Sequence, residues 1–421
     1  MKIQFYQLPT PLINNENIRE NSMNSAGYLV SYFKSKHKNS NYDFVITESE
    51  INDHYGDAAL INHIKNTKPE IICFTCYCWN AGRTKYISKK IKECMPNIKI
   101  IYGGPEITID NDFLLSENYA DFMVAGEGEQ LFEKLMMSNL RLNQTEKGYI
   151  FKKKDSKYFF NGYADPIKKL EFIPSPYLSG ILTPEKNGFM RFETQRGCSC
   201  KCSYCYYGKE FGTKRMHDSE YISKLFKYAV KNGVSEIFLL DPDFLNRKDI
   251  LSLLNIIIKI NSGKSQVELH TELNAELVTE EIAVLLKSAN FKSAEIGLQS
   301  VNTEKLKVIG RKNNITKIIN GINLLKSNGI NTIVDIIIGL PGETVSDVRK
   351  TLEFIKKEGL NQDAQAFNLA LLPGTKLRAD SKKYSIEYMF EPPYYCLKTK
   401  NLQTSELISL FDEAENLFNV E

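Results

Sequence analysis

Two series of alternating strand and helix patterns, separated by a polar break, predict an α/β protein with two parallel sheets. Short β-branched runs that alternate with helix-length periodic segments are typical of βαβ units, which place parallel strands side by side. The chain has 421 residues, of which 42% are hydrophobic, and this is enough apolar material for two or three domains. We therefore expect a doubly wound sheet first and a partial six-unit barrel second.

The first series covers residues 1–140 and contains five strand patterns with amphipathic helices between them. Its segments are, in chain order, "KIQFYQL", "SAGYLVSYFKSK", "YDFVIT", "GDAALINHIKN", "PEIICFTCYCW", "RTKYISKKIKEC", "IKIIYGG", "DFMVAGE" and "EQLFEKLM". Five strands connected by helices predict a doubly wound parallel sheet with helices on both faces.

A polar passage rich in lysine and tyrosine, residues 141–185, separates the two series. Two short strands around "KKDSK" predict a hairpin in this passage. The segment "FIPSPYLSG" that follows has the proline, serine and glycine content of a linker.

The second series covers residues 186–378 and has six strand patterns, with helical patterns between them. The strands are "MRFET", "SEIFLLD", "VELHTEL", "SAEIGLQ", "TIVDIIIGL" and "AFNLALL". Several of the helices end on glycine, as a C-cap requires. Six βα units predict an open or partial barrel, whose chemistry lies at the carboxyl ends of the strands. The tail, residues 379–421, carries one helical pattern.

Composition and charge narrow the possible partners and the compartment. Lys and Arg number 54 and Asp and Glu number 51, so no basic field favours nucleic acid. The start, "MKIQFYQLPTP", lacks the apolar core of a signal peptide, and no apolar run is long enough to span a membrane. We expect a soluble cytoplasmic protein, in which most of the nine cysteines are thiols or metal ligands.

A cysteine-rich stretch, "RGCSCKCSYCYYG", follows the first strand of the second series. Cys198, Cys202 and Cys205 form a C-x3-C-x2-C pattern, and Cys200 lies between the first two. Three thiolates can hold one face of a four-iron cluster and leave one iron open, as catalytic metal sites leave a position open. A zinc site that uses Cys200 or a distant ligand is the alternative, although no second cysteine knuckle lies nearby. Cysteines without a special role are a third reading.

The stretch resembles the signature of radical SAM enzymes, which is C-x3-C-x-aromatic-C after the first strand of a partial (β/α)6 barrel. Cys198, Cys202, Tyr204 and Cys205 match it position for position, and the resemblance extends over the second series. It implies a [4Fe–4S] cluster whose open iron binds S-adenosylmethionine (SAM). Reduction by an external donor of the flavodoxin or ferredoxin type then yields a 5′-deoxyadenosyl radical. Tyr204 would adjoin the cofactors, and Cys200 lies outside the signature.

The resemblance also suggests SAM contacts at the ends of the second and third strands. The second strand ends in "LLDPDF", where Asp241 would accept the methionine amino group. The third ends in "TELNAEL", where Glu272 or Asn274 would reach the ribose or the carboxylate. For each of these residues a helix cap or a surface turn is the alternative.

Further SAM contacts are suggested after the fourth and fifth strands. Gln299 and Ser300 in "EIGLQSVN" would face the same mouth. Arg311 in "VIGRK" suits a bidentate contact with the carboxylate. Gly339 in "DIIIGLPGET" would let the backbone approach adenine closely.

The first domain, with "CFTCYCWN", "YGGPE" and "AGEGE", resembles the cobalamin-binding domain of the B12-dependent radical SAM subfamily. The candidate cofactor neighbours are Thr75, Trp79, Asn80, Gly103, Gly104, Pro105, Glu106, Gly126, Glu127 and Gly128. Taken alone, the two glycine turns indicate only tight turns, and neither is the G-x-G-x-x-G of a dinucleotide site. The D-x-H-x-x-G motif, whose histidine ligates cobalt, is absent. Members without that histidine exist, but a domain that kept the fold and lost the cofactor is the alternative.

Three further cysteines, Cys73, Cys76 and Cys78, lie in the third strand pattern of the first domain. Alternate residues of a strand share a face, so Cys76 and Cys78 should point away from Cys73. Because free cysteine is among the most buried residue types, we expect core packing rather than a metal site.

The resemblance implies cobalamin-dependent methyl transfer to an unactivated carbon or phosphorus of a natural-product, peptide or lipid substrate. The alternative is a radical SAM enzyme that catalyses a rearrangement, cyclisation or epimerisation and keeps the first domain as a scaffold. A non-catalytic zinc or cluster module used for binding is a third hypothesis from a different class.

Overall fold

The computed structural model describes residues 1–10, 21–116, 118–152, 157–207, 214–263 and 266–418. The chain divides into two compact units. The first unit consists of Met1–Thr183 together with Phe390–Pro393, and the second of Pro184–Met389 together with Tyr394–Glu421.

The first unit contains a seven-stranded sheet within the described residues. Its strands are β1 (Lys2–Tyr6), β2 (Asp43–Ile46), β3 (Ile71–Thr75), β4 (Lys99–Gly103), β5 (Phe122–Val124), β6 (Tyr149–Lys152) and β7 (Tyr158–Phe160). The spatial order is β2-β1-β3-β4-β5-β6-β7. Strands β1 to β5 are parallel, as a doubly wound sheet requires, and β6 and β7 add an antiparallel edge.

The antiparallel edge is the hairpin that the sequence predicts between the two domains. It joins the first sheet because the apolar side chains of β6 are buried there, with Tyr149 and Ile150 part of the core. The hairpin turn, residues 153–156, lies outside the described residues. The sequence pattern gives the strands but not the sheet they extend.

Six α-helices accompany the first sheet within the described residues, and the strand order indicates at which edge a ligand would bind. They are α1 (Asn24–Lys36), α2 (Ser49–His54), α3 (Asp57–Thr67), α4 (Ala81–Cys94), α5 (Asp112–Leu115) and α6 (Gly128–Met137). Helix α1 packs against α6, and α3 against α4. In the order 2-1-3-4-5, strand β2 is added on one side of β1 and strands β3 to β5 on the other, so the switch point lies between β1 and β3. Such sheets bind ligands at the carboxyl ends of the strands beside the switch point.

The second unit contains a six-stranded parallel sheet. Four short strands lie outside this sheet. In chain order, the strands in the described residues of this unit are β8 (Phe189–Phe192), β9 (Gln195–Arg196), β10 (Arg215–Met216), β11 (Glu236–Leu239), β12 (Glu268–Glu272), β13 (Phe291–Gln299), β14 (Asn331–Ile338), β15 (Ala364–Asn368), β16 (Glu387–Tyr388) and β17 (Cys396–Lys398). The large sheet has the order β15-β14-β13-β12-β11-β8, so β8 and β15 are its edges and the barrel is partial. The pairs β9–β10 and β16–β17 are antiparallel.

Eight helices accompany these strands in the described residues of the second unit. They are α7 (Ser219–Lys231), α8 (Ile250–Ile260), α9 (Glu280–Ser288), α10 (Thr303–Val308), α11 (Ile315–Ser327), α12 (Val345–Lys357), α13 (Lys376–Ala379) and α14 (Thr404–Phe418). Glycines with positive φ follow α7, α11 and α12, which confirms the predicted glycine caps. The tail helix α14 packs against β15 and α12. None of the helices in the described part of the chain combines the length and apolar character that a membrane crossing requires.

Candidate functional site

The loop that carries the four clustered cysteines begins directly after β9. Cys202 is buried, Cys198 and Cys205 are partly buried, and Cys200 is exposed; all four are free thiols. Hydrogen bonds fix the loop at Ser203, whose N–H donates to the Ile309 carbonyl at 2.8 Å and whose carbonyl accepts from the Leu377 N–H at 2.8 Å. The cysteine loop is therefore held by the segment that follows α10 and by the first turn of α13.

Gly310 lets the cysteine loop pass close to the segment after α10. Its φ is +73°, and a Cβ atom at this position would lie 2.7 Å from the Lys201 carbonyl oxygen. Both the left-handed backbone and the close approach exclude larger residues.

A cavity of about 590 Å³ lies between the cysteine loop and the carboxyl ends of β12, β13 and β14. The sequence-predicted residues that line it are Cys198, Cys202, Cys205, Tyr204, Glu272, Asn274, Gln299 and Arg311. The structure therefore brings the three signature cysteines, Tyr204 and four of the suggested SAM contacts to one cavity. Their roles in binding remain predictions.

The three cysteines are a set of ligands that suits a four-iron cluster. Among the described residues, no group of three or more His, Cys, Asp or Glu side chains is arranged to hold one ion. In a four-iron cluster each cysteine sulfur binds a different iron, so the three sulfurs need not converge on one point. A hydrogen bond from Cys200 lowers the pKa of the Cys198 thiol, which favours the thiolate that a metal requires.

Arg311 connects the cysteine loop to β13. One guanidinium nitrogen, Nη1, lies 3.4 Å from the Tyr204 hydroxyl and 3.8 Å from Cys202 Sγ. Nε donates to Asn313 Oδ1 at 3.0 Å, and Nη2 donates to the Gly297 carbonyl. The cation thus stands beside a signature cysteine, where it can balance thiolate charge, and most of its donors are already engaged.

Three suggested SAM contacts, Asp241, Ser300 and Gly339, are not among the residues that line the cavity. Asp241 is fully buried and accepts from the N–H groups of Thr194 and Gln195 at 2.7 and 2.8 Å. Its carboxylate thereby fixes the chain just before the cysteine loop, and burial raises its pKa to about 6.

Ser300 and Gly339 make contacts inside the fold. The Ser300 hydroxyl donates to Glu343 Oε1 at 3.0 Å. Gly339 has a φ of +100°, and a Cβ atom there would lie 3.2 Å from the Leu407 side chain. Binding of SAM by Asp241, Ser300 or Gly339 stays a prediction.

Four acidic residues that the sequence pattern did not single out also line the cavity: Asp243, Glu276, Glu295 and Asp335. Asp243 accepts from the Asn274 N–H at 3.1 Å, and burial raises its pKa. A sequence signal existed for Glu295, because it alternates with Gly297 and Gln299 along β13 and so shares their face.

In the first unit, Asn80 ties together the ends of β1 and β3. Its side-chain amide donates to the carbonyls of Leu8 and Thr75 at 2.9 and 3.1 Å, and its oxygen accepts from the Tyr77 N–H at 2.8 Å. Asn80 is completely buried. Its observed role is to shape the edge at the switch point, and a direct cofactor contact stays a prediction.

Trp79 presents a flat aromatic surface at the same edge. Its ring stacks on Tyr77 with centroids 4.3 Å apart and an interplanar angle of 6°, and 42% of the residue is exposed. Thr75, the last residue of β3, contacts Ser25 through the two hydroxyls at 3.1 Å. The stacked pair of Trp79 and Tyr77, with Trp79 exposed, suits a large, planar, partly apolar ligand.

The turn after β4 places two different glycines side by side. Gly104 has a φ of +103°, and a Cβ atom there would lie 2.6 Å from the Cys76 carbonyl oxygen. A Cβ atom at Gly103 would meet nothing within 4 Å, so this position faces open space. Pro105 is partly buried, and the buried Glu106 accepts from the Asn111 amide at 2.9 Å.

The turn after β5 is packed against its own unit. Gly126 has a φ of +92° and faces Tyr163, and a Cβ atom at Gly128 would lie 2.9 Å from the Leu29 side chain. The Glu127 carboxylate accepts from the Ile167 N–H at 3.3 Å. The stacked pair of Trp79 and Tyr77 and the open position at Gly103 fit a corrinoid. Ring surfaces and the backbone, rather than a histidine, would contact it.

Cys73 and Cys76 of the first unit are packing residues, whereas Cys78 is only partly buried. Strand β3 ends at Thr75, so Cys76 and Cys78 lie in the following loop, and the expectation of a shared strand face is wrong. Cys73 and Cys76 are buried, and burial raises the pKa of both thiols, which confirms the predicted core packing.

Comparison with protein families gives one match in each unit. The B12 binding domain family matches residues 30–136, and the radical SAM superfamily matches residues 192–355. The cobalamin-dependent radical SAM methyltransferase TokK of Streptomyces tokunonensis is 24% identical over 335 residues, which cover 75% of this chain and 49% of TokK. The chain spans about half the length of the curated relatives it matches first.

A second relative carries a different activity in its name. The anaerobic magnesium-protoporphyrin IX monomethyl ester cyclase of Rubrivivax gelatinosus is 24% identical over 349 residues, which cover 79% of this chain and 61% of the cyclase.

A solved structure shares the fold of both units. The radical SAM methyltransferase TsrM from Kitasatospora setae matches with a TM-score of 0.75 and 14% identity, covering 98% of this chain and 89% of TsrM. The two family matches imply a [4Fe–4S] cluster, SAM and cobalamin as cofactors, as the sequence predicts. The chain therefore carries a B12 binding domain, residues 30–136, and a radical SAM domain, residues 192–355.

Proposed function

We propose that this protein is a cobalamin-dependent radical SAM methyltransferase that acts on an unactivated carbon or phosphorus of a small-molecule, peptide or lipid substrate. The observation that carries the proposal is the cavity at the carboxyl ends of the barrel strands, which the free thiols of Cys198, Cys202 and Cys205 line together. The B12 binding domain in the same chain and the activity named for TokK support methyl transfer.

The chain's own residues perform three tasks in this proposal. The three cysteines hold the cluster, Arg311 balances charge beside Cys202, and Asp241 fixes the start of the cysteine loop. When bound, the cluster and SAM supply a radical that activates the substrate, and cobalamin supplies methyl-transfer chemistry. We expect a flavodoxin- or ferredoxin-type protein to deliver electrons, in the cytoplasm.

Replacement of the cluster cysteines tests the radical chemistry. A Cys198→Ala/Cys202→Ala/Cys205→Ala variant, reconstituted anaerobically with iron, sulfide and hydroxocobalamin, should lose iron and SAM cleavage and retain cobalt. The matched control is Cys94→Ala, which removes an exposed thiol of the first unit. SAM cleavage at the wild-type rate in the triple variant would show that these cysteines do not hold the cluster.

The cyclase relative favours a second candidate, a radical SAM reaction without methyl transfer. The two candidates differ in their SAM products. Methyl transfer consumes a second SAM as methyl donor and leaves S-adenosylhomocysteine, whereas a cyclisation leaves only 5′-deoxyadenosine and methionine. Formation of S-adenosylhomocysteine by the protein loaded with cobalamin and reductant supports methyl transfer, and 5′-deoxyadenosine without it supports the second candidate.

A further inference from the structure

A groove of about 730 Å³ lies between helices α7 and α8 of the second unit. Apolar side chains from both helices line it: Val230 from α7, and Ile256 and Ile260 from α8. Val230 is 37% exposed. The two helices pack against each other, so the groove is part of the fold of this unit. It is separate from the cavity that the cysteines line, because the two share no residue.

Helix α8 is more apolar than a helix on a protein surface needs to be. Its sequence is ILSLLNIIIKI, and its buried residues are Ile250, Leu253, Leu254 and Ile257. Outside this buried face, Leu251 is exposed, and Ile256 and Ile260 are partly exposed. A surface helix carries polar side chains on its outer face, whereas an apolar patch on the surface marks a place where a partner binds.

Three lysines line the groove together with these apolar residues: Lys227 and Lys231 on α7 and Lys259 on α8. All three are exposed, and none of them forms an ion pair with another described residue. Among the described residues, Glu220 is the only acid that lines the groove, and its Oε1 lies 2.7 Å from Lys224 Nζ. The groove is therefore positively charged, although the net charge of the whole chain is only +3.

One end of the groove is connected to the base of the cysteine loop. Ser219, the first residue of α7, lines the groove and donates through its hydroxyl to Asp249 Oδ2 at 3.2 Å. Asp249 forms an ion pair with the buried Arg247 at 3.0 Å. Arg247 donates to the carbonyl of Thr194, before the cysteine loop, at 3.0 Å and to that of His217, after it, at 3.1 Å. A partner in the groove would thus lie beside the side chains that hold both ends of the cysteine loop.

The charge and the position of the groove together favour one kind of partner. Unpaired lysines beside apolar side chains suit an acidic protein, because opposite charges steer association and fix orientation. A partner beside the cysteine loop is in place to exchange electrons with a cluster held there. Helix α7 rises about 1.5 Å per residue, so Ser219 and Lys231 are about 18 Å apart, and the footprint of one small protein covers this span.

We propose that the groove between α7 and α8 docks an acidic electron-transfer protein that reduces a cluster held by the cysteine loop. The inference rests on the proposed function, because it names the docking surface for the donor that this function requires. The reduced partner gives up one electron, and the cluster takes up the same electron. Lys227, Lys231 and Lys259 attract the partner, and docking covers the apolar side chains of the groove.

The test uses the full chain, reconstituted anaerobically with iron and sulfide, and a flavodoxin of strongly negative net charge as the probe. Biolayer interferometry in about 0.1 M salt should detect binding of the flavodoxin by the wild-type chain. A Lys227→Glu/Lys231→Glu/Lys259→Glu variant should bind it at least about tenfold more weakly, because three attractive charges become repulsive.

The matched control is a Lys350→Glu/Lys356→Glu/Lys357→Glu variant. These lysines are exposed on α12 of the same unit and do not line the groove. The control makes the same change of net charge, and it should bind the flavodoxin within about threefold of wild type, since salt screens distant charges.

A second readout separates docking from chemistry. With dithionite, a small reductant that needs no docking surface, both triple variants should cleave SAM at the wild-type rate, which also shows that they fold and hold the cluster. With reduced flavodoxin at limiting concentration, only the groove variant should be slower, by at least about fivefold.

Three results would overturn the inference. The first is equal flavodoxin binding by the wild-type chain and the groove variant. The second is equal weakening in both triple variants, which would show that only net charge matters. The third is the absence of flavodoxin binding by the wild-type chain. Failure of the proposed function appears separately, as the absence of SAM cleavage with dithionite in a chain whose flavodoxin binding still distinguishes the two variants.

Discussion

The two units use the same architectural rule and differ in how their ligand edges are built. In the second unit the edge carries functional side chains: the three signature cysteines, several carboxyl groups and the buried Gln299 oxygen, which has no hydrogen-bond partner among the described residues. In the first unit the predicted polar residues at the edge are largely satisfied within the protein, as Asn80 shows with its three backbone hydrogen bonds. One edge therefore offers reactive side chains, whereas the other offers a shaped surface of backbone and aromatic rings.

Different kinds of substitution should therefore impair ligand binding in the two units. Where side chains do the binding, changes of a single functional group should remove a ligand. Where the shape of the surface provides the binding, a methyl group added at an open position should remove the ligand. The predictions below follow this contrast from the largest expected effect to the smallest.

The largest effect is expected in the cysteine loop of the second unit. Cys202→Ala should abolish retention of iron, because a three-cysteine cluster loses one of its protein ligands. Cys200→Ala, two residues away and outside the signature, should retain most of the iron. Iron and sulfide content after anaerobic reconstitution and desalting measures both. Equal loss in both variants would place Cys200 among the ligands.

A pair of glycine substitutions tests the shaped edge of the first unit. Gly104→Ala should destabilise this unit by about 1–3 kcal/mol, because its φ is +103° and its Cβ atom would meet the Cys76 carbonyl at 2.6 Å. Gly103→Ala should leave the free energy of unfolding within about 1 kcal/mol of wild type, since its Cβ atom meets nothing, yet weaken cobalamin retention.

The readouts for this pair are urea unfolding and cobalt content after desalting. Full cobalamin retention by Gly103→Ala would remove this turn from the corrinoid site. Loss of cobalamin in Gly104→Ala alone would be explained by the damaged fold and would contradict the shaped-surface account.

A smaller effect concerns stability and pH at Asp335, which lines the cavity and is hydrogen-bonded to Glu295. Asp335 has a pKa of about 8 in the folded chain, against 3.8 as its ordinary value, so the folded state binds more protons than the unfolded state between these values. The free energy of unfolding therefore falls as the pH rises from about 4 to about 8. Asp335→Asn should remove part of this loss and stabilise the chain more at about pH 8.5 than at about pH 5, by more than about 1 kcal/mol.

Urea midpoints at the two pH values measure the effect. Glu236→Gln is the control, because Glu236 is not among the residues that line the cavity. A stability gain of equal size at both pH values would show that packing, and not the charge of Asp335, limits stability here.

The sequence could predict the parts of the structure that local patterns encode. The cysteine spacing predicted that Cys198, Cys202 and Cys205 lie together, and all three line one cavity. The alternation of strand and helix patterns predicted both parallel sheets. The pattern could not show that Asp243 rather than Asp241 lines the cavity, because β11 ends at Leu239 and strand alternation does not extend past it.

Other features depend on partners far away in the chain. The hairpin of β6 and β7 joins the first sheet through a ladder with β5, and a hairpin pattern does not name the strand it will pair with. The ladder register likewise pairs Glu272 with Glu295. In the sequence alone, Glu295 is an ordinary acidic position in a strand, and nothing there names Glu272 as its partner.

The account's central claim is that each unit holds its own cofactor. The most direct measurement is the metal content of the full chain after anaerobic reconstitution with iron, sulfide and hydroxocobalamin, followed by desalting. We predict about four iron atoms and about one cobalt atom per chain. About four iron atoms with no cobalt would contradict the claim, leave the radical chemistry of the second unit in place and reduce the first unit to a scaffold.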